Sequence, residues 1–376
     1  MKSAKAWMAL LLIMSVGSAA TASINPETKA TTSLHNRNVV NVYNWQDYIA
    51  PDLFQRFEAE TGIIVNYQTF DNVKMLESRI EQNLGGYDVV MPEIAFLAYQ
   101  SSRGRFLKFD ESKIPNLVNS DARLIAKAED AKYPKGYAAN YLWGSLGIGY
   151  NKELVISKIG DEGSMAHWSS IFDLEEIEKL ADCGVWIIDS PRDVYPVILN
   201  YLGENPNDLS EANLVKANQV LSRIRPYVKD FNSSDYISAL AEGRACAVVG
   251  WSGDVFQAAW LSEEAGNSQK IIYNIPEEGT IIWMDVMGIP ANAKNIDNAY
   301  AFINFMLRPD IAGNNAEYVS YASANSPEKT QANASHFKNS SIYPNAEVMN
   351  RLFFSRVHDH DTHIRINRYW RMALDQ

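Results

Sequence analysis

The stretch VYNWQDYIAP, residues 42–51, ends a predicted β-strand and begins a predicted helix at Pro51. The junction between the two carries Trp45, Asp47 and Tyr48. The carboxyl end of a strand is where α/β folds bind ligands, so these side chains are candidates for a binding site. Aromatic rings beside a carboxylate are typical of a pocket for an organic cation.

The combination of an indole and an acid occurs twice more, in GWSGD at residues 250–254 and in WMD at residues 283–285. A buried ammonium group needs a carboxylate, and an indole face can cover the methylene groups beside it. The ordinary role of a single tryptophan is core packing. However, Trp45, Trp251 and Trp283 each lie within three positions of an acid and at a predicted strand end, which favours a site.

An α/β pattern extends outward from the first stretch. Strands are predicted at residues 39–43, 63–70 and 87–91, with helices at 51–62 and 73–84 between them. This β-α-β-α-β order predicts a parallel sheet whose strand ends carry the ligand chemistry. A further strand at 143–150 leads out of this unit.

A second α/β unit follows. It contains predicted helices at 171–181, 195–201, 209–225 and 236–241, and strands that begin at Cys183, Cys246 and Ile271. The apolar segment 280–289 is long enough to cross back to the first unit. We therefore expect two α/β lobes joined by crossing strands, with a cleft between them that closes like a hinged clamp. The expected boundaries are 39–146 and 281–330 for lobe 1, and 147–280 and 331–376 for lobe 2.

Residues 1–22 are typical of a secretory signal peptide. Lys2 and Lys5 form its basic start, residues 6–16 its apolar core, and Ala20-Thr21-Ala22 the cleavage motif. The apolar core has 11 residues, whereas a membrane-spanning helix needs roughly 20. The mature protein is therefore expected to be exported without a membrane anchor.

Loss of the signal peptide removes two lysines and no acid, so the formal net charge changes from −11 to −13. A negative protein is a poor partner for nucleic acid and anionic membranes, and it is compatible with a cationic ligand. Acidity by itself is common among soluble proteins. The remaining 354 residues suffice for two domains.

The chain has two cysteines, and both lie in the exported part, where disulfides can form. Cys183 and Cys246 each begin an apolar run that predicts a buried strand, and the two strands can be neighbours in one sheet. Two interpretations stay open: a Cys183–Cys246 disulfide and two buried free thiols.

Enzyme signatures are mostly absent. GWSGD begins like a nucleophile elbow, but Asp254 stands where that motif needs glycine. The run GSLGIG at residues 144–149 lacks the dinucleotide-binding spacing, and neither a P-loop nor an HExxH motif occurs. His358, His360 and His363 could offer imidazoles to a metal ion, but a polar loop between two C-terminal helices explains them equally well, and no metal is assigned.

Four blocks of the sequence point to a family. They are YNWQDYIAP at 43–51, NYLG at 200–203, GWSGDV at 250–255 and YASAN at 321–325. In this order they resemble the periplasmic polyamine-binding proteins, particularly the putrescine-binding type, and the likeness extends from about residue 39 to the C-terminus. The resemblance implies a type II periplasmic binding fold that serves an ABC importer and needs no cofactor.

Carried over residue by residue, the resemblance places five aromatic side chains around the methylene chain of an amine: Trp45, Tyr48, Trp251, Trp283 and Tyr321. Asp254 and Asp285 would neutralise its ammonium groups, with Asp193 as a further acid on the facing lobe. Gln46 and Glu93 depart from the family pattern by replacing small hydroxyl residues, and Asp193 replaces a glutamate. Glu93 could add an acid for a longer or more highly charged amine, or it could obstruct the pose of putrescine.

The resemblance thus implies a monomeric periplasmic receptor that closes around a polyamine, such as putrescine or spermidine, and hands it to a membrane permease. A sensor subunit that reports an amine without transporting it would have the same fold. An enzyme using Asp193, Asp254 and Asp285 as acid and base is the least favoured alternative. Glu93 would make the cleft too negative for a dication, so spermidine is expected to gain over putrescine, unless Glu93 lies in solvent at the rim.

Overall fold

The computed structural model describes residues 38–70, 73–82, 85–267, 269–330 and 338–375. The signal peptide expected at residues 1–22 lies outside them. Among the residues described, no helix combines the length and the apolar character that a membrane crossing requires.

A three-stranded parallel sheet begins the fold. Its strands are β1 (Val39–Trp45), β2 (Ile64–Phe70) and β3 (Val89–Val90), in the order β2-β1-β3. The connections run through α1 (Asp52–Thr61) and α2 (Val73–Glu81). Gly62, in the left-handed conformation with a φ of 68°, ends α1 and leads the chain into β2. The predicted β-α-β-α-β order and its parallel pairing are confirmed.

The second sheet is larger and mixed. Its strands are β4 (Ala139–Asn151), β5 (Val185–Ile187), β6 (Asp230–Phe231), β7 (Ala247–Trp251), β8 (Ile271–Asn274), β9 (Ile281–Met287), β10 (Ala322–Ser323) and β11 (Phe353–Phe354). The order is β11-β9-β4-β7-β5-β6, and β8 and β10 pair with β4 outside this path. Because β5 is parallel to both β6 and β7, this part repeats the arrangement of the first sheet.

The remaining helices lie between these strands in the sequence, except the last one, which follows β11. Those before residue 190 are α3 (Ile94–Ser102), α4 (Ala122–Asp130), α5 (Lys152–Ile159), α6 (Ser169–Phe172) and α7 (Leu174–Leu180). Those after it are α8 (Pro191–Tyr201), α9 (Glu211–Ile224), α10 (Asp235–Ala241), α11 (Ser252–Glu264), α12 (Ile296–Met306), α13 (Pro309–Val319), α14 (Ala346–Arg351) and α15 (His360–Leu374).

The prediction of one helix at 171–181 is wrong, because α6 and α7 are separate helices. Asp173 lies between them in an extended conformation, and its side chain accepts hydrogen bonds from the backbone N–H groups of Glu175 and Glu176. Aspartate is among the preferred N-cap residues, so the sequence does carry the signal for this break.

Strand β4 connects the two lobes. Its first half, Ala139 to Ser145, pairs antiparallel with β9, and its second half pairs antiparallel with β7 and β8. One core cluster draws its residues from 146–281 and from α15, whereas two others combine residues 40–143 with residues 282–354. The two-lobed α/β fold is confirmed by this division, and the exact lobe boundaries stay predictions.

The C-terminal part of the chain divides between these clusters. Leu352 and Phe354, around β11, pack in the same cluster as Tyr43 of the first lobe. Ile366 and Trp370 of α15 pack in the cluster of the second lobe. This division favours placing β11 with lobe 1 rather than with lobe 2.

A disulfide joins Cys183 to Cys246, with 5.4 Å between their Cα atoms. Cys183 ends a short 3-10 turn before β5, Cys246 immediately precedes β7, and these two strands are paired neighbours. The backbone N–H of Cys246 also donates to the carbonyl oxygen of Cys183 over 3.1 Å. The disulfide is therefore confirmed, and the alternative of two free thiols is wrong.

Reduction of this disulfide should destabilise the protein. The two cysteines are 63 positions apart, and the chain entropy of closing such a loop gives about 4 kcal/mol. Urea denaturation should show a lower free energy of unfolding when reductant is present, and thiol titration of the denatured, unreduced protein should find no free thiol. A double variant, Cys183→Ser with Cys246→Ser, is the control, because reductant should leave its stability unchanged. Two free thiols per chain would contradict the bond.

Candidate functional site

A cavity of about 970 Å³ lies at the boundary between the two lobes. All ten residues singled out in the sequence line it: Trp45, Gln46, Tyr48, Glu93, Asp193, Trp251, Asp254, Trp283, Asp285 and Tyr321. Sequence reasoning missed other lining residues, among them Arg192, Trp260 and Glu317. The fold thus brings the predicted residues into one cavity and adds a cation to them.

The first-lobe wall of the cavity forms at the carboxyl ends of β1 and β3. Trp45 is the last residue of β1, and Gln46 and Tyr48 follow it before α1 begins. Glu93 follows β3 and is the N-cap residue of α3. Because β1 and β3 are parallel neighbours, their ends meet at one edge of the sheet, and the side chains that follow them converge.

The second-lobe wall repeats this arrangement at the carboxyl ends of β5 and β7, which are also parallel neighbours. Helix α8 follows β5 and carries Arg192 and Asp193 in its first turn. Trp251 ends β7, and Asp254 lies in the first turn of α11. The positive end of a helix dipole stabilises a carboxylate, so both aspartates lie where their charge is tolerated.

The crossing strand β9 supplies Trp283 and Asp285. The expectation that Trp283 lies at a strand end is wrong, because it is inside β9, where alternation puts Trp283 and Asp285 on the same face. Gly144 faces Trp283 across the β4–β9 ladder, and a Cβ atom on Gly144 would lie 2.7 Å from the indole. The glycine in β4 therefore makes room for the ring, which is a packing role.

Four aromatic rings form a continuous row along the cavity. The ring centroids are 6.4 Å apart for Trp251 and Trp283, 4.8 Å for Trp283 and Tyr321, and 5.9 Å for Tyr321 and Tyr48. All three pairs meet edge to face, which is a favourable arrangement of aromatic rings. Gly253 allows the Tyr321 ring to pack closely against the backbone of α11, because a Cβ atom at this position would lie 2.2 Å from the ring.

Two residues with a left-handed backbone orient this row. Asp47 has a φ of 53° and Ser320 a φ of 60°, and each directly precedes a tyrosine of the row, Tyr48 or Tyr321. Non-glycine residues seldom adopt this conformation, and those that do are concentrated at functional sites. The strained turns at the two positions support a binding role for this wall.

Asp254 is held by two tyrosine hydroxyl groups. Tyr321 donates to Oδ1 of Asp254 over 2.9 Å, and Tyr236 donates to Oδ2. Burial raises the pKa of Asp254, and the two donors act in the opposite direction because they stabilise the ionised form. Tyr236 also accepts a hydrogen bond from the backbone N–H of Trp251. The local sequence of α10 carries no signal for this role of Tyr236.

Among the carboxyl groups of this cavity, Asp285 has the pKa that its surroundings shift most. It is 5% exposed, and burial together with the nearby carboxylate of Glu93 raises the pKa of Asp285 to about 8. The Tyr48 hydroxyl acts in the opposite direction. At neutral pH the ligand-free protein therefore holds Asp285 largely as the neutral acid.

Glu93 and Arg192 form an ion pair across the cleft. Nη2 of Arg192 lies 2.8 Å from Oε2 of Glu93, and Nε of Arg192 lies 3.5 Å from Oδ2 of Asp193. Ser190 donates its hydroxyl to the same oxygen of Asp193. The expectation that Glu93 adds uncompensated negative charge is therefore wrong, as is the alternative that it lies in solvent, since its side chain is 15% exposed.

Little in the local sequence indicates the role of Arg192. Arg192 directly precedes Asp193, but adjacent residues of a helix point in different directions. The predicted role of Asp193 therefore does not predict where the side chain of Arg192 lies. The pairing depends on the approach of α3 to α8, which the tertiary structure decides.

No residue of the histidine run lines this cavity among the described residues. The rings of His358 and His363 have centroids 6.3 Å apart, and burial, with His363 nearby, lowers the pKa of His358 to about 4. The side chain of His360 lies outside the described residues. Within the described part of the chain, no group of three or more His, Cys, Asp or Glu side chains is placed to hold a metal ion.

The chain belongs to the bacterial extracellular solute-binding protein family, whose model matches residues 52–339. The putrescine-binding periplasmic protein PotF of Escherichia coli (strain K12) is 39% identical over 324 residues, which are 86% of this chain and 88% of that protein. The putrescine-binding periplasmic protein SpuD of Pseudomonas aeruginosa (strain UCBPP-PA14) is 39% identical over 318 residues, 85% of this chain and 87% of that protein.

A solved structure of a related substrate-binding protein is similar to this chain over most of its length. It is the spermidine/putrescine ABC transporter substrate-binding protein PotD from Streptococcus pneumoniae strain Canada MDR_19A, in complex with calcium and HEPES. Its TM-score is 0.76 at 29% identity, and the similarity covers 89% of this chain and 99% of that one. The family resemblance inferred from the four sequence blocks is confirmed.

The protonation of Asp285 can be measured directly. Infrared difference spectra of the ligand-free protein, recorded from about pH 6 to about pH 9, should show a buried protonated carboxyl group that ionises with a midpoint near the pKa of about 8. The variant Asp285→Asn should lack this carbonyl band, and Asp297→Asn, at an exposed position, should retain it. If no carboxyl band disappears as the pH rises through this range, the assignment is contradicted.

Proposed function

We propose that this protein captures a linear polyamine, such as putrescine, in the cavity between its lobes. The observation that carries the proposal is a pair of carboxyl groups, Asp254 and Asp285, connected by aromatic rings. Tyr321 donates to Asp254, its ring contacts the Tyr48 ring, and the Tyr48 hydroxyl stabilises ionised Asp285. A diamine has matching chemistry, with two ammonium groups separated by a methylene chain. The names of the 39%-identical relatives support the same ligand class.

The expected affinity is moderate. Two charge-assisted hydrogen bonds at about 1.5–3 kcal/mol each and four buried methylene groups at about 0.8 kcal/mol each give roughly 6–9 kcal/mol. This free energy corresponds to dissociation constants around the micromolar range. Such a value suits a protein that must both capture its ligand and release it.

Closure of the cleft follows from the distribution of the site. The first lobe supplies Trp45, Tyr48 and Glu93, and the second supplies Asp193 and Asp254. A ligand that contacts both walls binds the closed form better than the open form, so it shifts the population toward closure. We propose that a permease of an ABC importer recognises this closed form in the periplasm and that the receptor acts as a monomer, exported by the signal peptide at residues 1–22.

No covalent chemistry is proposed at this site. Asp193 accepts a hydrogen bond from Ser190 and lies beside Arg192, and Asp254 accepts from two tyrosines. These carboxyl groups are thus engaged by neighbours that stabilise the ionised form, which suits counter-charges better than a paired acid and base. Unchanged amine recovered after prolonged incubation would support this view, and a new product would favour an enzyme.

Calorimetric titration tests the ligand class. The protein should first be unfolded and refolded, so that any amine that copurified is removed, and then titrated with putrescine, cadaverine, agmatine, spermidine and spermine. At least one of these amines should bind at one site per chain with micromolar or tighter affinity. Absence of binding for all five would reject the proposed function.

Removal of either proposed counter-charge should weaken amine binding. Asp254→Asn and Asp285→Asn should each raise the dissociation constant at least about tenfold, because each leaves a buried ammonium group without its carboxylate. Trp251→Ala should also weaken binding, through lost contact with the methylene chain. Asp297→Asn is the matched control, because Asp297 is exposed and outside the cavity. Wild-type titration curves for both cavity variants would exclude this site.

Amine affinity should increase with pH. Because burial raises the pKa of Asp285 to about 8 and a cation binds the ionised carboxylate, amine binding near neutral pH displaces a proton. The association constant for putrescine should rise by up to about tenfold per pH unit below pH 8 and level off above it. Asp285→Asn should show a smaller pH dependence. A wild-type affinity that is constant or falls between about pH 6 and about pH 8 would contradict this linkage.

A further inference from the structure

We propose that the Glu93–Arg192 ion pair closes one end of the amine cavity and limits the ligand to a diamine. In this arrangement the guanidinium group of Arg192 occupies the position that a third ammonium group would take. The inference rests on the proposed function, because it assigns specificity within the same cavity. It makes Arg192 a specificity-determining residue.

The ion pair separates two cavities. A second cavity, of about 570 Å³, lies on the other side of the pair. Glu93, Arg192 and Asp193 line both cavities, and the other lining residues of the two differ. The three shared residues are therefore the partition between the cavities, and a ligand longer than the first cavity would have to displace them.

The partition holds one cation between two carboxylates, so its formal charge is −1 when all three groups are ionised. Arg192 lies 2.8 Å from Glu93 and 3.5 Å from Asp193, so one guanidinium group serves two carboxylates. By contrast, no ion pair within 4.0 Å among the described residues involves Asp254 or Asp285, although the more distant charge of Arg192 acts to lower the pKa of Asp285. The cavity therefore retains two buried acids for ligand cations, which matches the two ammonium groups of a diamine.

The surroundings of the partition also disfavour a third ammonium group. Arg103, Arg105 and Arg356 line the second cavity, and the one carboxylate there outside the partition, Glu77, is exposed, so a polyamine that crossed the partition would approach mainly further cations. Other acids of the first cavity do not offset this effect. Asp47 and Glu317 are exposed, and screening by water makes an exposed charge worth little.

The ion pair also links the lobes. Glu93 precedes α3 in the first lobe, and Arg192 lies in the first turn of α8 in the second. The pair can form only when these two helices approach each other, so it contributes to closure whether or not an amine is bound. A triamine that displaced Arg192 from Glu93 would lose this contribution, which adds to the preference for a diamine.

Calorimetric titration of refolded, ligand-free protein tests the inference through the ratio of spermidine affinity to putrescine affinity. Wild type should prefer putrescine. Arg192→Ala and Arg192→Gln should each raise the spermidine-to-putrescine ratio at least about tenfold, because the third ammonium group can then pair with Glu93 and Asp193. Cadaverine, which is longer but carries only two charges, should gain much less and so separates length from charge.

Two further variants sharpen this test. Glu93→Gln should lower the affinity for spermidine more than for putrescine, because it leaves the guanidinium group in place without its nearest carboxylate. Arg244→Ala is the matched control, since Arg244 forms a surface ion pair with Glu242 and lines neither cavity. It should keep the wild-type ratio. Circular dichroism and thermal unfolding should confirm that each variant is folded before its titration is interpreted.

Two results would overturn the inference. One is a wild type that binds spermidine as tightly as putrescine. The other is an affinity ratio within about twofold of wild type in both Arg192 variants, which includes an equal loss of both amines. If wild type binds none of the five amines, the proposed function fails as well. If wild type binds putrescine and the ratio does not respond, only the role of Arg192 fails.

Discussion

The removal of several carboxyl groups from water is the constraint on which the cleft depends. Each acid meets the cost of desolvation in a different way. Asp285 retains its proton near neutral pH, Glu93 pairs with Arg192, and Asp254 accepts hydrogen bonds from two tyrosines. Asp193 accepts from Ser190 in the first turn of a helix. Two acids thus remain for a ligand, and the others are compensated by the protein itself.

The frame that holds these groups is the pairing of β4 with both lobes. One half of β4 pairs with β9, which carries Asp285, and the other half pairs with β7, which leads to Asp254. Parallel pairs on either side, β1 with β3 and β5 with β7, direct their carboxyl ends to the cavity. Backbone hydrogen bonds therefore set the spacing of the walls, while the Glu93–Arg192 pair across the cleft can form or break with closure.

Much of the site was accessible from the sequence, for a physical reason. Trp45 and Trp251 lie at strand ends that parallel pairing brings to a common edge, so local pattern and fold class together locate them. The placement of Trp283 inside β9 and the break of the predicted helix at Asp173 were missed. In both cases the prediction followed a longer apolar run instead of a short-range signal. That signal is strand alternation for Trp283 and a helix cap for Asp173.

The sequence by itself determined the α/β class and the two-lobed organisation, because these follow from apolar periodicity that is local in the chain. The resemblance of its motifs to a known family supplied the set of ten site residues, all of which line the cavity. Only the tertiary structure decided which acid keeps a proton, which finds a cation and which accepts from tyrosines. Arg192 meets Glu93, and Tyr236 meets Asp254, across distances that no local pattern encodes. Desolvation and charge pairing depend on every neighbour in space, and the folded chain alone brings those neighbours together.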